Sequence, residues 1–319
     1  MRTRIELAAC YLCLASVLAV ASYFGPPKRP DYPLLARATV ETIAKRDGYA
    51  VAVSAADDGS IYLIFNGEGE VFRHNGKDSE LEIVASLLVP GFVGTDKLGN
   101  IHASYGANGD GCILDHVVGL LKHSKATEEM RINSAITGLA VDGDGSIYVT
   151  AGLVGEVWKV DSTGRKILLL SSEQSFDDNH IPILEGVAVN KNGQVLIVDN
   201  SGAVFVLEQG RLRHLAGKPR ECGMVDGIGE NARFCGPTAA TADHNGDFLV
   251  VDQGCAVRKV TPSGEVTTLI GTPDGPVAGL VRLPAEQCST WIRSIAVDRN
   301  DDILLAVGSV LRVRIHRTQ

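Results

Sequence analysis

The sequence predicts an all-β fold, a six-bladed β-propeller built from four-stranded antiparallel blades. Three observations lead to it: six segments repeat one order of apolar runs and turns, each carries an Asn/Asp/Gly turn at one fixed place, and the last segment is one strand short. Propeller blades of four strands recur roughly every 40 to 50 residues. The turns of successive segments are 40 to 55 residues apart, which matches that period.

The repeated segments each contain an apolar run, a turn, an alternating run, a polar loop and further runs. Alternation of apolar and polar residues is typical of strands, because successive side chains point to opposite faces of a sheet. The clearest copies are 138–170, 186–217 and 240–271, and weaker copies lie at 51–76, 93–116 and 295–316. We therefore expect six sheets that follow one another in chain order.

A hairpin turn is predicted at the same place in every copy. Asn-Gly or Asp-Gly between alternating runs is a strong hairpin signal, since these residues tolerate the positive φ that such turns need. The six turn positions are Gly59, Gly99, Gly145, Gly193, Gly246 and Asp301.

The stretch Asp142-Gly143-Asp144-Gly145 also invites a calcium-loop interpretation. An EF-hand loop that began at Asp142 would need Gly at its sixth position and Glu at its twelfth. Those positions hold Ile147 and Leu153. The stretch is therefore interpreted as a hairpin turn.

Closure of the ring is predicted to use a strand from near the start of the chain. The sixth copy ends after its third strand, and an apolar run in residues 36–48, ahead of the first copy, resembles the fourth strands of other copies. Open sheet edges invite association with other chains, so the first and last blades need to be joined. We predict that residues 38–44 form the outer strand of the last blade.

The N-terminal 21 residues are predicted to be a targeting segment. Arg2 and Arg4 precede an apolar stretch, and residues 19–21 supply an A-x-A cleavage site. The stretch has about 18 residues, the lower limit for a membrane span, so an uncleaved signal anchor is the alternative to a signal peptide. A lipoprotein signal that ends at Cys10 is a third interpretation.

All three interpretations place the rest of the chain outside the cytoplasm, either secreted, periplasmic or lumenal, or anchored to a membrane by this segment. The expected organisation is a signal peptide or anchor at 1–21, a linker at 22–35 and the propeller at 36–319. A net charge of −8 at pH 7 and the lack of basic runs after the N-terminus argue against nucleic-acid binding. We expect a monomeric propeller that contacts a membrane only through an uncleaved N-terminal segment.

Five cysteines follow the targeting segment, an odd number that allows two disulfides and one unpaired thiol. Cys222 and Cys235 flank the connector between the fourth and fifth copies, so a bridge between them is predicted. Cys255 and Cys288 fall in two kinds of loop that open on one face of a propeller, which favours a second bridge. Cys112 is then left over, although the cysteine count alone leaves the connectivity open.

Residues 215–271 closely resemble an NHL repeat. The likeness lies in a connector of the form DG-x-G-x-x-A-x-F-x-x-P, followed by "NGDFLVVD" and "VRKVTPSGEVTTLIG"; the connector residues are Asp226, Gly227, Gly229, Ala232, Phe234 and Pro237. The resemblance implies a six-bladed propeller that holds ligands on one face. It implies no single activity, because NHL and related propellers include scaffolds, receptors, lactonases and lyases.

No metal or cofactor is predicted. Related lyases hold zinc through histidines from several blades, whereas the histidines here do not recur at one repeat position. Lactonases of the regucalcin and gluconolactonase type, which the chain distantly resembles in fold, hold a divalent cation where the innermost strands begin. The matching positions are Tyr49, Gly91, Thr137, Glu185, Thr238 and Arg293, of which only Glu185 is a plausible ligand for a hard cation.

Polar residues at the strand ends on the loop-rich face are the candidate ligand-binding residues. A functional interpretation gathers them into a polar pocket at the mouth of the channel, which recognises a ligand by convergent hydrogen bonds. The alternative is that they satisfy backbone groups and one another. The candidates are Glu185, Arg293, Asp199, Asp252 and Thr137.

The function favoured by the sequence is a binding module for a protein, a peptide or a glycan. The alternative is a lactonase-like hydrolase or lyase with its active site at the channel mouth; no catalytic residue is predicted. The segments 117–135 and 171–182 exceed plain turns and are interpreted as long loops, where specificity tends to reside.

Overall fold

The computed structural model describes residues 37–75, 80–106, 116–122, 125–171, 183–271, 281–283 and 291–316. Within these ranges the backbone forms β-strands and one 3-10 turn at Gly229–Asn231, with no α-helix. No helix in the described part of the chain is long and apolar enough to cross a membrane. The targeting segment and the linker lie outside the described residues.

Six sheets follow one another in chain order, each with four antiparallel strands, as the repeat predicts. Blade one contains β2 to β5, and its strands are Ala50–Ala55, Ile61–Phe65, Glu70–His74 and Leu81–Ser86. Blade two contains β6 to β9, which are Val93–Thr95, Ile101–Gly106, His116–Lys122 and Lys125–Ile132. Blade three contains β10 to β13, which are Gly138–Val141, Ile147–Ala151, Glu156–Val160 and Lys166–Leu170.

The second half of the ring has the same four-stranded plan. Blade four contains β14 to β17, which are Leu184–Val189, Val195–Asp199, Ala203–Glu208 and Arg211–Gly217. Blade five contains β19 to β22, which are Ala240–Ala242, Phe248–Asp252, Ala256–Val260 and Glu265–Gly271. Two short strands, β18 (Gly227–Ile228) and β23 (Val281–Arg282), pair with β22. Blade six contains β24 to β26 and β1, which are Ser294–Val297, Ile303–Ala306, Val310–His316 and Arg37–Ala44.

The six predicted turns share one backbone conformation. Each joins the first and second strands of its blade, and φ is +91° at Gly59, +77° at Gly99 and +84° at Gly145. The remaining three have φ of +72°, +95° and +62°, and they are Gly193, Gly246 and Asp301. The hairpin interpretation of the opening Asp-Gly stretch is therefore confirmed, since left-handed backbone is what such a turn requires.

One predicted loop is a pair of strands. Residues 117–135 contain most of β8 and all of β9, which pair with each other and complete blade two. The alternation of polar and apolar residues along β9 is weak, and the outer face of this strand is exposed. The strand is therefore hard to recognise in the sequence. Of the other predicted long loop, residues 172–182 lie outside the described residues.

Apolar side chains pack between blades rather than within one blade. Each of the six buried clusters combines residues of two neighbouring blades; one, for example, joins Leu196 and Val198 of blade four to Phe248 and Val250 of blade five. A single sheet has two faces to cover, and only its neighbours can cover them. The blades are therefore stable only as a ring.

The ring closes through β1, as predicted. β1 pairs with β26 in antiparallel register, with Arg37 opposite His316 and Thr42 opposite Leu311. Ile43 and Ala44 are buried in the cluster between blades six and one. The start of the propeller and its last blade thus share one sheet.

Shortening Ile43, which is 7% exposed, to Ala is expected to destabilise the protein by about 2 to 4 kcal/mol, because it opens a cavity where the ring closes. Val40→Ala is the matched control, since Val40 lies on the same strand but is 36% exposed. Urea unfolding at pH 7 measures both. Equal, small effects would mean that β1 contributes little to closure.

Candidate functional site

A cavity of about 1040 Å³ runs along the propeller axis. The first strands of all six blades contribute to its wall, and most of the wall residues are small. Small residues are needed here because the innermost strands of neighbouring blades lie close together. A Cβ at Gly186, for example, would lie 2.8 Å from the carbonyl oxygen of Thr238 in the next blade. The innermost strands therefore come close enough to enclose one narrow channel.

The first strands begin on the face that also carries the fourth-to-first connectors and the second-to-third loops; we call it the connector face. The residues at or just before these strand starts line the channel mouth, and they are Tyr49, Phe92, Thr137, Glu185, Thr238 and Arg293. Around the ring they follow blade order, because neighbouring blades are in contact. The mouth is thus more apolar at blades one and two and more polar at blades three to six.

Glu185 presents a carboxyl group to the channel without a counter-ion. Within the described residues it has no ion pair and no side-chain hydrogen bond. Burial raises its pKa from 4.5 to about 7, because the charged form loses hydration in the channel wall. A carboxyl group in this state exchanges its proton near neutral pH.

Arg293 lies on the aromatic ring of Tyr49. Its Cζ atom is 4.3 Å from the ring centroid, which is a cation–π contact between blades six and one. In the described part of the chain the guanidinium has no carboxylate partner. The contact holds the cation in place while its N–H donors stay available.

Thr137 lies in the mouth, but its hydroxyl group is already engaged. It donates to the carbonyl oxygen of Leu184 at 2.6 Å and accepts from the backbone N–H of Gly152 at 3.1 Å. This joins blade three to blade four. Thr238, at the equivalent place in blade five, has a buried Oγ1 atom with no hydrogen-bond partner among the described residues.

Asp199 and Asp252 do not line the channel. Both are fully buried at the ends of second strands, and each accepts a hydrogen bond from the backbone N–H of a residue that leads into a first strand: Ile183 to Asp199 at 3.1 Å and Cys235 to Asp252 at 2.7 Å. Asp199 also accepts from Ser201 Oγ at 2.5 Å. This geometry fits the alternative given above, in which the carboxylates satisfy backbone groups. They hold the segments that lead into the first strands, and their role in ligand binding stays a prediction.

Arg258 is fully buried and was not among the candidate residues. Its guanidinium donates to Asp252 at 2.9 Å, to Asp226 at 2.8 Å and to the carbonyl oxygens of Val225 and Arg233. Burial raises the pKa of Asp252 to about 6, while Arg258 and the Cys235 N–H act in the opposite direction. Arg258 therefore fastens the connector between blades four and five to the second and third strands of blade five.

The connector motif has a structural explanation around this arginine. Asp226 accepts from Arg258 and from Thr268, while Ala232 and Phe234 are buried between blades four and five. The Arg258 Cζ atom lies 5.2 Å from the Phe234 ring centroid. The acidic, small and aromatic positions of the motif thus hold a buried cation.

A disulfide joins Cys222 to Cys235 across the same connector, and Cys235 lies at the channel mouth. Cys255 is disulfide-bonded too. Its predicted partner, Cys288, lies outside the described residues, as does Cys112, so the second bridge stays a prediction.

Trp291 is a mouth residue that the sequence interpretation missed. Its ring lies against Gly254, where a Cβ would be 2.9 Å from the indole, and the backbone N–H of Ile292 donates to the carbonyl oxygen of Gly254. The side chain remains 43% exposed at the channel mouth. Its position two residues before Arg293 and just ahead of a first strand is the signal that could have identified it.

A cluster suitable for a metal ion is absent from the described residues, where no three His, Cys, Asp or Glu side chains converge. The positions at which related lactonases hold a cation contain one carboxylate, Glu185, and one cation, Arg293. A hard divalent cation needs several oxygen ligands, and a guanidinium nearby repels it. This donor set does not fit a divalent metal.

Comparison with known proteins gives a fold but no family. No family model matches the chain. Human teneurin-4 is 26% identical over 177 residues, which is 47% of this chain and 6% of the teneurin. The match therefore spans a small part of that relative's length.

Solved structures with a similar fold are six-bladed propellers. A protein of unknown function from Bacteroides thetaiotaomicron has a TM-score of 0.68 at 16% identity, covering 88% of this chain and 76% of that one. An auxiliary nutrient binding protein from the same organism has a TM-score of 0.66 at 15% identity, covering 88% and 77%. A gluconolactonase from Xanthomonas campestris has a TM-score of 0.62 at 12% identity, covering 92% and 96%. At these identities the likeness is one of fold.

Glu185→Gln is expected to stabilise the protein above pH 7 and to leave its stability unchanged near pH 4. The folded protein holds the Glu185 proton to about pH 7 and the unfolded chain only to about pH 4.5, so wild-type stability falls as pH rises through this window. The shift corresponds to at most about 3 kcal/mol, less whatever water in the channel screens. Urea unfolding at pH 4, 6 and 8 measures it, with the exposed Glu80→Gln as control. A pH-independent difference would contradict the assignment.

Arg258→Met is expected to destabilise the protein by about 3 to 5 kcal/mol, because it leaves the buried Asp252 without its cation. The double variant Arg258→Met, Asp252→Asn is expected to recover part of the loss. Arg165→Gln is the matched control, since this arginine also pairs with an aspartate but is 74% exposed, and such pairs contribute under about 1 kcal/mol. Similar losses for the buried and exposed pairs in chemical denaturation would contradict this assignment.

Proposed function

We propose that this protein is an exported binding module of NHL type, which engages its ligand on the connector face at the mouth of the channel. The observation that carries the proposal is a carboxyl group and a guanidinium, those of Glu185 and Arg293, that line one cavity and have no ion-pair partner in the described structure. Charged side chains left unpaired in a concave site are typical of places where a ligand supplies the missing partners.

The size and chemistry of the cavity support ligand binding. Pockets for organic ligands usually have volumes of about 300 to 1000 Å³ and combine apolar walls with a few polar groups. The channel has about 1040 Å³, small apolar residues along its wall and its charges at one mouth. One end is therefore suited to recognition and the rest to enclosing an apolar part of the ligand.

Exposed apolar side chains around the mouth extend this surface. Six of the twelve exposed large hydrophobic residues in the described ranges lie in the second-to-third loop of blade three or in the connectors into blades two, four and six, whereas one, Leu98, lies on a first hairpin turn of the opposite face. Val89 is 57% exposed and has a φ of +45°, a strained conformation for a β-branched residue. The six residues are Leu88, Val89, Leu153, Val154, Ile183 and Trp291. A surface of this composition favours a partner with apolar groups.

Export is supported by the N-terminal segment and by the Cys222–Cys235 disulfide, since disulfides persist mainly in oxidising compartments. The similarity in fold to an auxiliary nutrient binding protein agrees with a binding role.

The second candidate function is a propeller hydrolase or lyase, which the similarity in fold to a gluconolactonase favours. The residues at the strand starts favour it less, because they do not form the oxygen-rich donor set of a metal-dependent lactonase. The metal content of a dialysed, natively purified sample separates the two candidates. Stoichiometric calcium or zinc would favour the enzyme.

The binding proposal is tested by a thermal-shift screen of peptides, sugars and small organic acids and amines. Ligands of the channel mouth are expected to raise the Tm of the wild type and to lose at least half of that shift in Glu185→Ala or Arg293→Ala. Arg165→Gln, on the opposite face, is the control and is expected to keep the full shift. The proposal fails when every hit binds both mouth variants as it binds the wild type.

A further inference from the structure

We infer that the ligand of the channel mouth is a short peptide with free ends, whose carboxylate binds Arg293 and whose ammonium group binds Glu185. The inference rests on the proposed function and specifies its ligand. It follows from three properties of the mouth: the opposite signs of its two ionisable groups, which have no ion-pair partner among the described residues, their placement in the ring, and the apolar surface beside them.

The two charged groups call for a ligand that carries both signs. An anionic ligand would be attracted to Arg293 but repelled by the Glu185 carboxylate. A cationic ligand would be attracted to Glu185 but repelled by the Arg293 guanidinium. A zwitterion satisfies both groups and leaves the mouth with no net change of charge. A neutral glycan would leave both without a counter-charge.

The placement of the groups separates the two ends of the ligand. Glu185 is the second residue of the first strand of blade four and Arg293 directly precedes that of blade six, so blade five, with Thr238, lies between them. Arg293 is held on the Tyr49 ring, which fixes the guanidinium before a ligand arrives. A planar guanidinium with several N–H donors matches the two oxygens of a carboxylate.

The apolar surface favours a peptide over a single amino acid. The cavity of about 1040 Å³ is far larger than one amino acid needs, and the exposed side chains of Trp291 and Ile183 line the same mouth as the charges. Peptide side chains can cover these apolar groups while the termini reach the charged ones. The mouth therefore matches a few residues of peptide with free ends.

The experiment uses a panel of tripeptides rich in Leu, Phe and Gly, each prepared in four forms: both ends free, N-acetylated, C-amidated and doubly blocked. Isothermal titration of the protein at pH 8 measures Kd. The free form is expected to bind best, and blocking either end to weaken binding by about tenfold or more, as expected for the loss of a charged hydrogen-bond pair.

Two variants assign the ends. Glu185→Gln is expected to bind the free and N-acetylated forms equally, because the partner of the ammonium group is gone. Arg293→Gln is expected to bind the free and C-amidated forms equally for the corresponding reason. Arg165→Gln is expected to reproduce the wild-type pattern, and circular dichroism confirms that all variants are folded.

The outcomes separate this inference from the proposed function. Equal binding of all four forms, or no binding by any tripeptide while a sugar or organic acid binds with a dependence on Glu185 and Arg293, overturns the peptide inference and leaves the binding function intact. No binding of any probe at the channel mouth overturns both.

Discussion

The antiparallel pairing of β1 with β26 is the contact on which the rest of the structure depends. Every blade buries its two faces against the neighbouring blades. In an open row of blades, the first and last blades would each leave one apolar face exposed, and both faces are covered when these two blades meet. β1 comes from the start of the described chain and supplies the strand that blade six lacks. The ring is therefore a single cooperative unit, and its channel exists only when it is closed.

A buried arginine gives the blade four-to-five connector its fixed course. The two terminal nitrogens of Arg258 donate to two carboxylates and two carbonyl groups, and the guanidinium lies beside an aromatic ring, while its buried Nε has no hydrogen-bond partner among the described residues. Taking a guanidinium out of water is costly unless nearly every donor finds a partner. The partners come from the connector and from the second strand of blade five, so these contacts fasten the connector to that blade. The Cys222–Cys235 disulfide constrains the same segment.

The carboxylates of the connector face divide into two kinds by their surroundings. Asp199 and Asp252 are saturated by backbone N–H groups, a hydroxyl group or an arginine, and they position the strand starts. Among the described residues Glu185 has no such partners, and its burial favours the neutral form. Arg293 likewise has an aromatic ring beneath it but no anionic partner in the part of the chain that the structure describes. Asp199 and Asp252 thus hold the segments that lead into the first strands, whereas Glu185 and Arg293 line the channel.

The sequence by itself determined the six-bladed architecture, the turn in every blade and the closing strand. These depend on local properties: residues that accept positive φ, alternation of apolar side chains, and a missing strand at one end of a counted series. It also identified Glu185, Arg293 and Thr137 as mouth residues, because position in a repeat predicts position in the ring. Only the tertiary structure decided which polar groups were already satisfied. In the sequence, Asp199 and Glu185 are both acidic residues near the end of a strand. Nothing in the sequence around them indicates that Asp199 accepts hydrogen bonds from backbone N–H groups, whereas Glu185 lines the channel.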